Sequence, residues 1–308
     1  MVTTVTLNMA IDKTLKLKKF NYGEVNRVEE CKESIGGKGI NVSKVLTRLG
    51  IKTKSVGFLG IRNEERVKDL LGKANLEMDF VRIDGLTRTN TKIIEKSTKI
   101  TTDINEAGFE VTNEEFEKMK QLIKNRAKGM KFLVMGGSVP NGLGRDTYYE
   151  LSKSVNGGTK VILDAEKDLL ISGLKSEPFL IKPNIEELRI ATGKSLKGIA
   201  EIENECKNLI REFKVENILV SMGSEGSVLI SKEMTLRARA ICTEVNSTVG
   251  AGDSMLGGFI YGIENYSDIE MALKYAAACG TYAVARKESN ELDTKKILEI
   301  YENVIIER

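Results

Sequence analysis

Short apolar runs alternate along the chain with longer stretches in which apolar residues recur every three or four positions. The short runs predict strands over 2–7, 54–58, 131–135, 159–163, 179–181 and 217–221. The amphipathic stretches predict helices over 39–49, 64–74, 113–126, 145–155, 184–191, 201–213, 252–262, 268–285 and 294–305. Strand followed by helix, repeated, is the pattern of an α/β domain with a mostly parallel sheet covered on both faces. Such sheets bind ligands beyond the carboxyl ends of their strands. Two stretches break the alternation, 15–30 and 80–103, which read as short β segments with polar turns. They predict a small second sheet, built from discontinuous segments, that serves as a lid or a dimer contact. The competing reading is an edge extension of the main sheet.

Composition narrows the field. A chain of 308 residues that is 41% hydrophobic buries one substantial core, which fits a single domain with a small appendage. Its 47 basic and 44 acidic residues are dispersed, so nothing points to nucleic acid. The Ala-rich stretch 275–285 is too short to cross a bilayer. The first predicted strand carries no basic leader or cleavage pattern, which places the expectation in the cytoplasm. Cys31, Cys206, Cys242 and Cys279 are scattered and read as reduced, mostly buried thiols. The chain has no histidine. That excludes Ser-His-Asp and Cys-His catalysis and histidine metal sites. Proton transfer then falls to carboxylates, lysine, tyrosine or cysteine.

Five groups of residues carry chemistry. Gly36-Gly37-Lys38-Gly39-Ile40-Asn41 opens a helix, where backbone amides and Lys38 favour an anion. It is not a Walker A loop, because Gly39 follows the lysine where Ser or Thr is required. Thr248-Val249-Gly250-Ala251-Gly252-Asp253 also precedes a helix. Its small residues let main-chain N–H groups converge on a transferring phosphoryl group, and Asp253 beside them can take a proton. The plain reading of Asp253 is an N-cap. Ser221-Met222-Gly223-Ser224-Glu225-Gly226 reads either as a hairpin turn or as a loop along nucleotide phosphates. In Lys182-Pro183-Asn184-Ile185-Glu186-Glu187, Asn184 and Glu187 form either a capping box or a hard-oxygen set for water-held Mg²⁺. Asp12, Arg27, Arg88 and Asn90 are dispersed, and arginine is suited to gripping a substrate phosphate.

In this order, these segments resemble the PfkB (ribokinase-like) carbohydrate kinases over nearly the whole chain. The resemblance rests most on Thr248–Asp253 continued through Ser254-Met255-Leu256-Gly257-Gly258, and on Gly36–Asn41. Thr6-Leu7-Asn8 with Asp12, Val25-Asn26-Arg27, Thr87-Arg88-Thr89-Asn90 and Gly137-Ser138-Val139-Pro140 lean toward the branch acting on ketohexose phosphates. The resemblance implies a ribokinase-like three-layer sandwich with a β-sheet lid, often paired in a dimer through that lid. It implies ATP and Mg²⁺, and phosphorylation of fructose 1-phosphate at the C6 hydroxyl to fructose 1,6-bisphosphate. The alternative is tagatose 6-phosphate giving tagatose 1,6-bisphosphate. More remote are a kinase of an unphosphorylated sugar or nucleoside and a non-catalytic sugar-phosphate sensor. It implies Asp253 as base with Gly250, Ala251 and Gly252 as the anion hole. Asp12, Gly37, Lys38, Asn41, Arg88 and Asn90 are implied to contact the sugar phosphate. Lys182, Asn184, Ser221, Gly223 and Gly226 are implied for the nucleotide, and Glu187 for Mg²⁺ through water. Met9 stands where the family usually has proline.

Overall fold

The computed structural model describes residues 1–98, 100–286 and 292–308. Residue 99, inside the second expected lid segment, lies outside the described residues. The first half of the chain forms β1 (Val2–Thr6), β2 (Ala10–Leu17), β3 (Glu30–Gly36), α1 (Lys38–Arg48), β4 (Thr53–Gly60) and α2 (Glu64–Lys73). It continues with β5 (Met78–Ile83), β6 (Arg88–Glu95), β7 (Thr101–Asn105), α3 (Asn113–Arg126), β8 (Phe132–Gly136) and α4 (Thr147–Ser152). The second half forms β9 (Lys160–Asp164), α5 (Lys167–Gly173), β10 (Leu180–Ile181), α6 (Ile185–Thr192), α7 (Ile199–Phe213) and β11 (Asn217–Ser221). It ends with β12 (Ser227–Ser231), β13 (Thr235–Ala238), α8 (Ala251–Tyr266), α9 (Ile269–Ala285), α10 (Thr294–Glu302) and β14 (Ile306–Glu307).

The main sheet has ten strands in the order β14-β13-β12-β11-β10-β9-β8-β1-β4-β5. From β5 to β11 every pairing is parallel, and β12, β13 and β14 extend that edge antiparallel. Strands such as Val2–Thr6 and Phe132–Gly136 are buried on both faces, as a sheet between helix layers requires. One apolar cluster, with Phe116, Met119 and Tyr148, fills the face under α3 to α7. A second, with Leu46, Phe259 and Ala276, fills the face under α1, α8 and α9. This is the three-layer α/β arrangement with a separate small sheet that the resemblance implies.

The small sheet is separate from the main one, with order β3-β2-β6-β7. Its boundaries differ from the expectation. Residues 78–83 pair with β4 in the main sheet, and the strands of the first segment flank residues 18–29 instead of filling them. The lysines interspersed through 13–19 obscure the alternation that marks a strand in sequence. Ile11 and Ile35 on one face of this sheet pack with Met9, Leu59 and Leu70 in a third cluster that ties it to α2 and β4. Met9 is fully buried there, which is what the residue standing in place of proline does. The thiols need one correction: Cys206 and Cys279 are buried, but Cys31 and Cys242 are exposed. No helix among the described residues is long and apolar enough to cross a membrane.

Candidate active site

Because β1, β8, β9, β10 and β11 run parallel, their carboxyl ends finish on one edge of the sheet. The glycine motif crosses that edge. The chain leaves β3 at Gly36, turns at Gly37 with φ 126, and enters α1 at Lys38. No side chain at the helix start caps it. Instead the Thr6 hydroxyl, at the end of β1, accepts from the Ile40 amide at 2.9 Å. Sheet and helix are thereby locked at the point where the motif's side chains emerge.

Lys38 reaches past Gly137 to donate to Asp164 Oδ1 at 3.0 Å, and Lys182 Nζ stands 3.4 Å from the same oxygen. Asp164 ends β9 and is 2% exposed, and its Oδ2 has no hydrogen-bond partner. Burial pushes the Asp164 carboxyl up, but Lys182 and Lys38 outweigh it and hold the group below its ordinary value. Burial likewise works against the Lys38 ammonium. Asp164 and Glu187 overcome that, and Lys38 stays above the ordinary lysine value. Two cations gathered on a buried anion form a fixed positive floor at the sheet edge.

Asp253 sits beside this floor. The N-cap of α8 is Gly250 at φ 74, left-handed backbone that a side chain would strain, and no side chain caps the helix. Asp253 is therefore not a cap. It lies in the first turn, 8% exposed, and its Oδ2 accepts from Asn41 Nδ2 at 2.8 Å. Burial raises its pKa, Asp164 raises it further, and Asn41, Lys38 and Lys182 oppose. Of the expected anion-hole amides, that of Ala251 donates to Thr248 O at 3.3 Å. Gly252 lies against Lys182: a Cβ there would stand 3.1 Å from its ammonium nitrogen.

A second group lies on the small sheet, where β2 and β6 pair Asp12 with Asn90 and Ala10 with Arg88. Asn90 Nδ2 donates to Asp12 Oδ1 at 3.2 Å. The Asp12 carboxylate lies against the Cα of Gly36, in the space a Cβ would take, so that glycine is required by close approach. Arg88 is anchored by Nε and Nη2 on Asn8 O at 3.2 and 3.1 Å, by Nη1 on Glu106 O at 3.2 Å and by Nη2 on Ser138 Oγ at 3.4 Å, which leaves a second Nη1 N–H for a ligand. Arg27 is exposed on the connection between β2 and β3.

The third group follows β10 and β11. Asn184 caps α6 and forms a reciprocal capping box with Glu187, both bonds 2.8 Å. The Ser221 amide donates to Pro183 O at 3.1 Å, which joins the two loops. Gly223 and Gly226 then turn the chain at φ 58 and 91 into β12, so the hairpin reading of this segment holds in the geometry. Among the described residues no three acidic, cysteine or histidine side chains cluster as a metal cage. The unpartnered Asp164 Oδ2 and half-buried Glu187 are hard oxygens, a set that fits Mg²⁺ held largely by water and phosphate.

Asp164, Glu166 and Lys44 belong to this edge and were not singled out from sequence. Glu166 stands 3.6 Å from Lys38. Asp164 has a readable signal, an acid closing the apolar run 160–163. Lys44 follows Asn41 by three positions, so on a helix the two share a face.

A sequence model described as pfkB family carbohydrate kinase matches residues 4–296. A 1-phosphofructokinase of Borreliella burgdorferi is 37% identical over 301 residues, 97% of this chain and 96% of that protein. The structure of Escherichia coli phosphofructokinase-2 in complex with potassium superposes with a TM-score of 0.91 at 22% identity, covering 98% of each chain. Thermotoga maritima ribokinase superposes at 0.80 and 21% identity, over 98% of this chain and all of that one. These two structural likenesses speak to the fold.

Proposed function

The chain belongs to the pfkB family of carbohydrate kinases, and from that premise we infer that it transfers the γ-phosphoryl group of ATP to the C6 hydroxyl of fructose 1-phosphate. The observation that carries this reading is the position of Asp253, held by Asn41 beside the Lys38–Asp164–Lys182 floor at the start of α8. Burial raises its pKa, which makes it a stronger base than an exposed aspartate. The curated relative named above as a 1-phosphofructokinase supports the substrate.

In this reading Asp12, Asn41 and Asn90 receive the sugar hydroxyls, while Lys38, Arg88 and the amide of Gly37 meet the sugar phosphate. Lys182, Asn184, Ser221, Gly223 and Gly226 line the nucleotide phosphates. Asp253 takes the C6 proton as the oxygen bonds to the γ-phosphorus, and the bond to ADP breaks. Main-chain amides at Gly250 and Gly252 and the Lys182 ammonium meet the transferring charge, while the Ala251 amide would first have to leave Thr248 O to join them. Glu187, with the free oxygen of Asp164, would hold Mg²⁺ through water, and the ion supplies charge neutralisation on the phosphates when bound. The small sheet closes over the sugar and excludes water, suppressing ATP hydrolysis.

We also infer a homodimer through the small sheet. Tyr22 and Val25, on the connection beside its β3 edge, are 95% and 84% exposed, and Ile104 on its β7 edge is also exposed. Val25→Asp should then shift the light-scattering mass from dimer to monomer; an unchanged mass refutes that interface. Four unpaired cysteines support a reducing, cytoplasmic setting. Steady-state assays against fructose 1-phosphate, tagatose 6-phosphate, fructose 6-phosphate and fructose test the substrate. The highest kcat/KM is expected for fructose 1-phosphate, and a preference for any of the others overturns the assignment.

A further inference from the structure

Lys44 is a charged side chain that the reaction as described above leaves without a task. It is half-buried on α1, one turn beyond Asn41. Its ammonium donates to the main-chain carbonyl of Ile35 on β3. That carbonyl shares a peptide unit with Gly36, and the Asp12 carboxylate lies against the Cα of Gly36. The ammonium and the carboxylate thus flank one peptide unit, between helix and small sheet. A neutral donor would satisfy the Ile35 carbonyl at a lower desolvation cost, so the lysine's charge calls for a separate reason.

We propose that Lys44 is a positioning residue for the sugar end of the site: its ammonium, anchored on the Ile35 carbonyl, keeps the Asp12 carboxylate ionised and aimed at the substrate hydroxyls. An ionised carboxylate accepts hydrogen bonds from several hydroxyls, whereas a protonated one spends one oxygen as a donor. Among the described residues, the groups that act most on the pair lie on three elements packed around it. Burial dominates at Asp12 and leaves its pKa raised, opposed by the Asn90 hydrogen bond and by the charges of Lys44 on α1 and of Lys92 and Arg88 on β6, which limit the rise. Lys44 feels burial and Arg286, which lower its pKa, against Asp12 and against Asp253 on α8. Lysine still titrates far above carboxylates, so the ammonium persists through the range in which Asp12 gains its proton. The same cation faces Asp12 and the base Asp253, so its field spans both ends of the sugar.

The inference rests on the reading of Asp12 as a hydroxyl acceptor, and its test is arranged to fail separately. Carbon-13 NMR of the aspartate carboxyls, with the Asp12 signal identified by its loss in Asp12→Asn, follows the titration of the substrate-free full chain. Lys44→Gln keeps a donor for Ile35 and removes the charge, so the Asp12 midpoint should move up. Lys44→Met, which removes both, should give the same midpoint, and Lys44→Arg should restore the wild-type value. In kinetics, Lys44→Gln should raise the KM for fructose 1-phosphate by roughly tenfold, the loss of one charge-dependent hydrogen bond. The KM for ATP should stay within about twofold of wild type. An Asp12 midpoint unmoved by Lys44→Gln overturns the proposal. So does a Lys44→Arg protein that titrates like Lys44→Gln, or a Lys44→Gln protein that fails to fold. If the wild-type protein does not phosphorylate fructose 1-phosphate, the proposed substrate falls while the titration is still decisive for Lys44.

Discussion

Two helices begin at the same edge of the main sheet, and they begin in opposite ways. α6 opens on Asn184, whose side chain accepts from the Glu187 amide while Glu187 returns the bond to the Asn184 amide. α8 opens on a left-handed glycine with no side-chain cap, and the acid in its first turn turns away to meet Asn41 from another helix. The first arrangement satisfies orphan amides locally and stabilises its helix. The second forgoes that stabilisation, buries a carboxylate, and leaves the positive end of a helix facing the lysine floor. An acidic residue near a helix start thus has two uses, and its hydrogen-bond partner tells them apart. The partner three residues away makes Glu187 a cap through one oxygen and leaves the other for the site, whereas the partner 212 residues away ties Asp253 to the site alone.

Removing the hydrogen-bonding side chain that defines each helix start should separate the two uses. Asp253→Asn should lower kcat by roughly 10²–10⁴ if the group works as a general base. Near-normal turnover, measured by a coupled ADP assay, would erase the distinction. Asn184→Ala should cost about 1 kcal/mol of folding stability through the lost cap. Urea unfolding checks that, and no loss would mean that the capping box contributes nothing in this fold. The smallest effect runs in the opposite direction. Burial raises the Asp253 pKa above its unfolded value, so the folded state favours the protonated form. The stability this group confers is complete below the ordinary aspartate pKa and is lost as pH rises through the raised one. Asp253→Asn imitates the protonated form, so its Tm should exceed wild type at about pH 7.5, with the gap closing by about pH 4. A Tm below wild type at neutral pH would mean that the ionised carboxylate stabilises the fold.

Much of this was legible in the chain. The parallel sheet followed from the alternation of apolar runs and amphipathic stretches, and the two helix starts were marked by their glycines and asparagine. What escaped has physical reasons. β13 and β14 hold four and two residues, too few for any periodicity to register. α10 stops at Glu302, three residues before its expected end, because β14 needs the chain extended to reach β13. Asp164 is marked in the sequence only as an acid closing an apolar run, because Lys38, the partner that gives it meaning, is 126 residues away. Nothing in the linear sequence marks Lys44, because its partner, the Ile35 carbonyl, reaches its ammonium only once the small sheet is folded. Charged groups in a buried site take their roles from long-range neighbours, and a linear reading has no access to those. Glycine motifs fared better, because backbone geometry is a local property.

The base assignment is tested most directly by single-turnover phosphoryl transfer to fructose 1-phosphate, followed across pH in wild type and Asp253→Asn. The wild-type rate should fall on the acid side with a midpoint above the ordinary aspartate value, in keeping with the buried carboxyl. The variant should be slow at every pH and lack that limb. A variant that kept the same acid limb would show that some other group takes the proton.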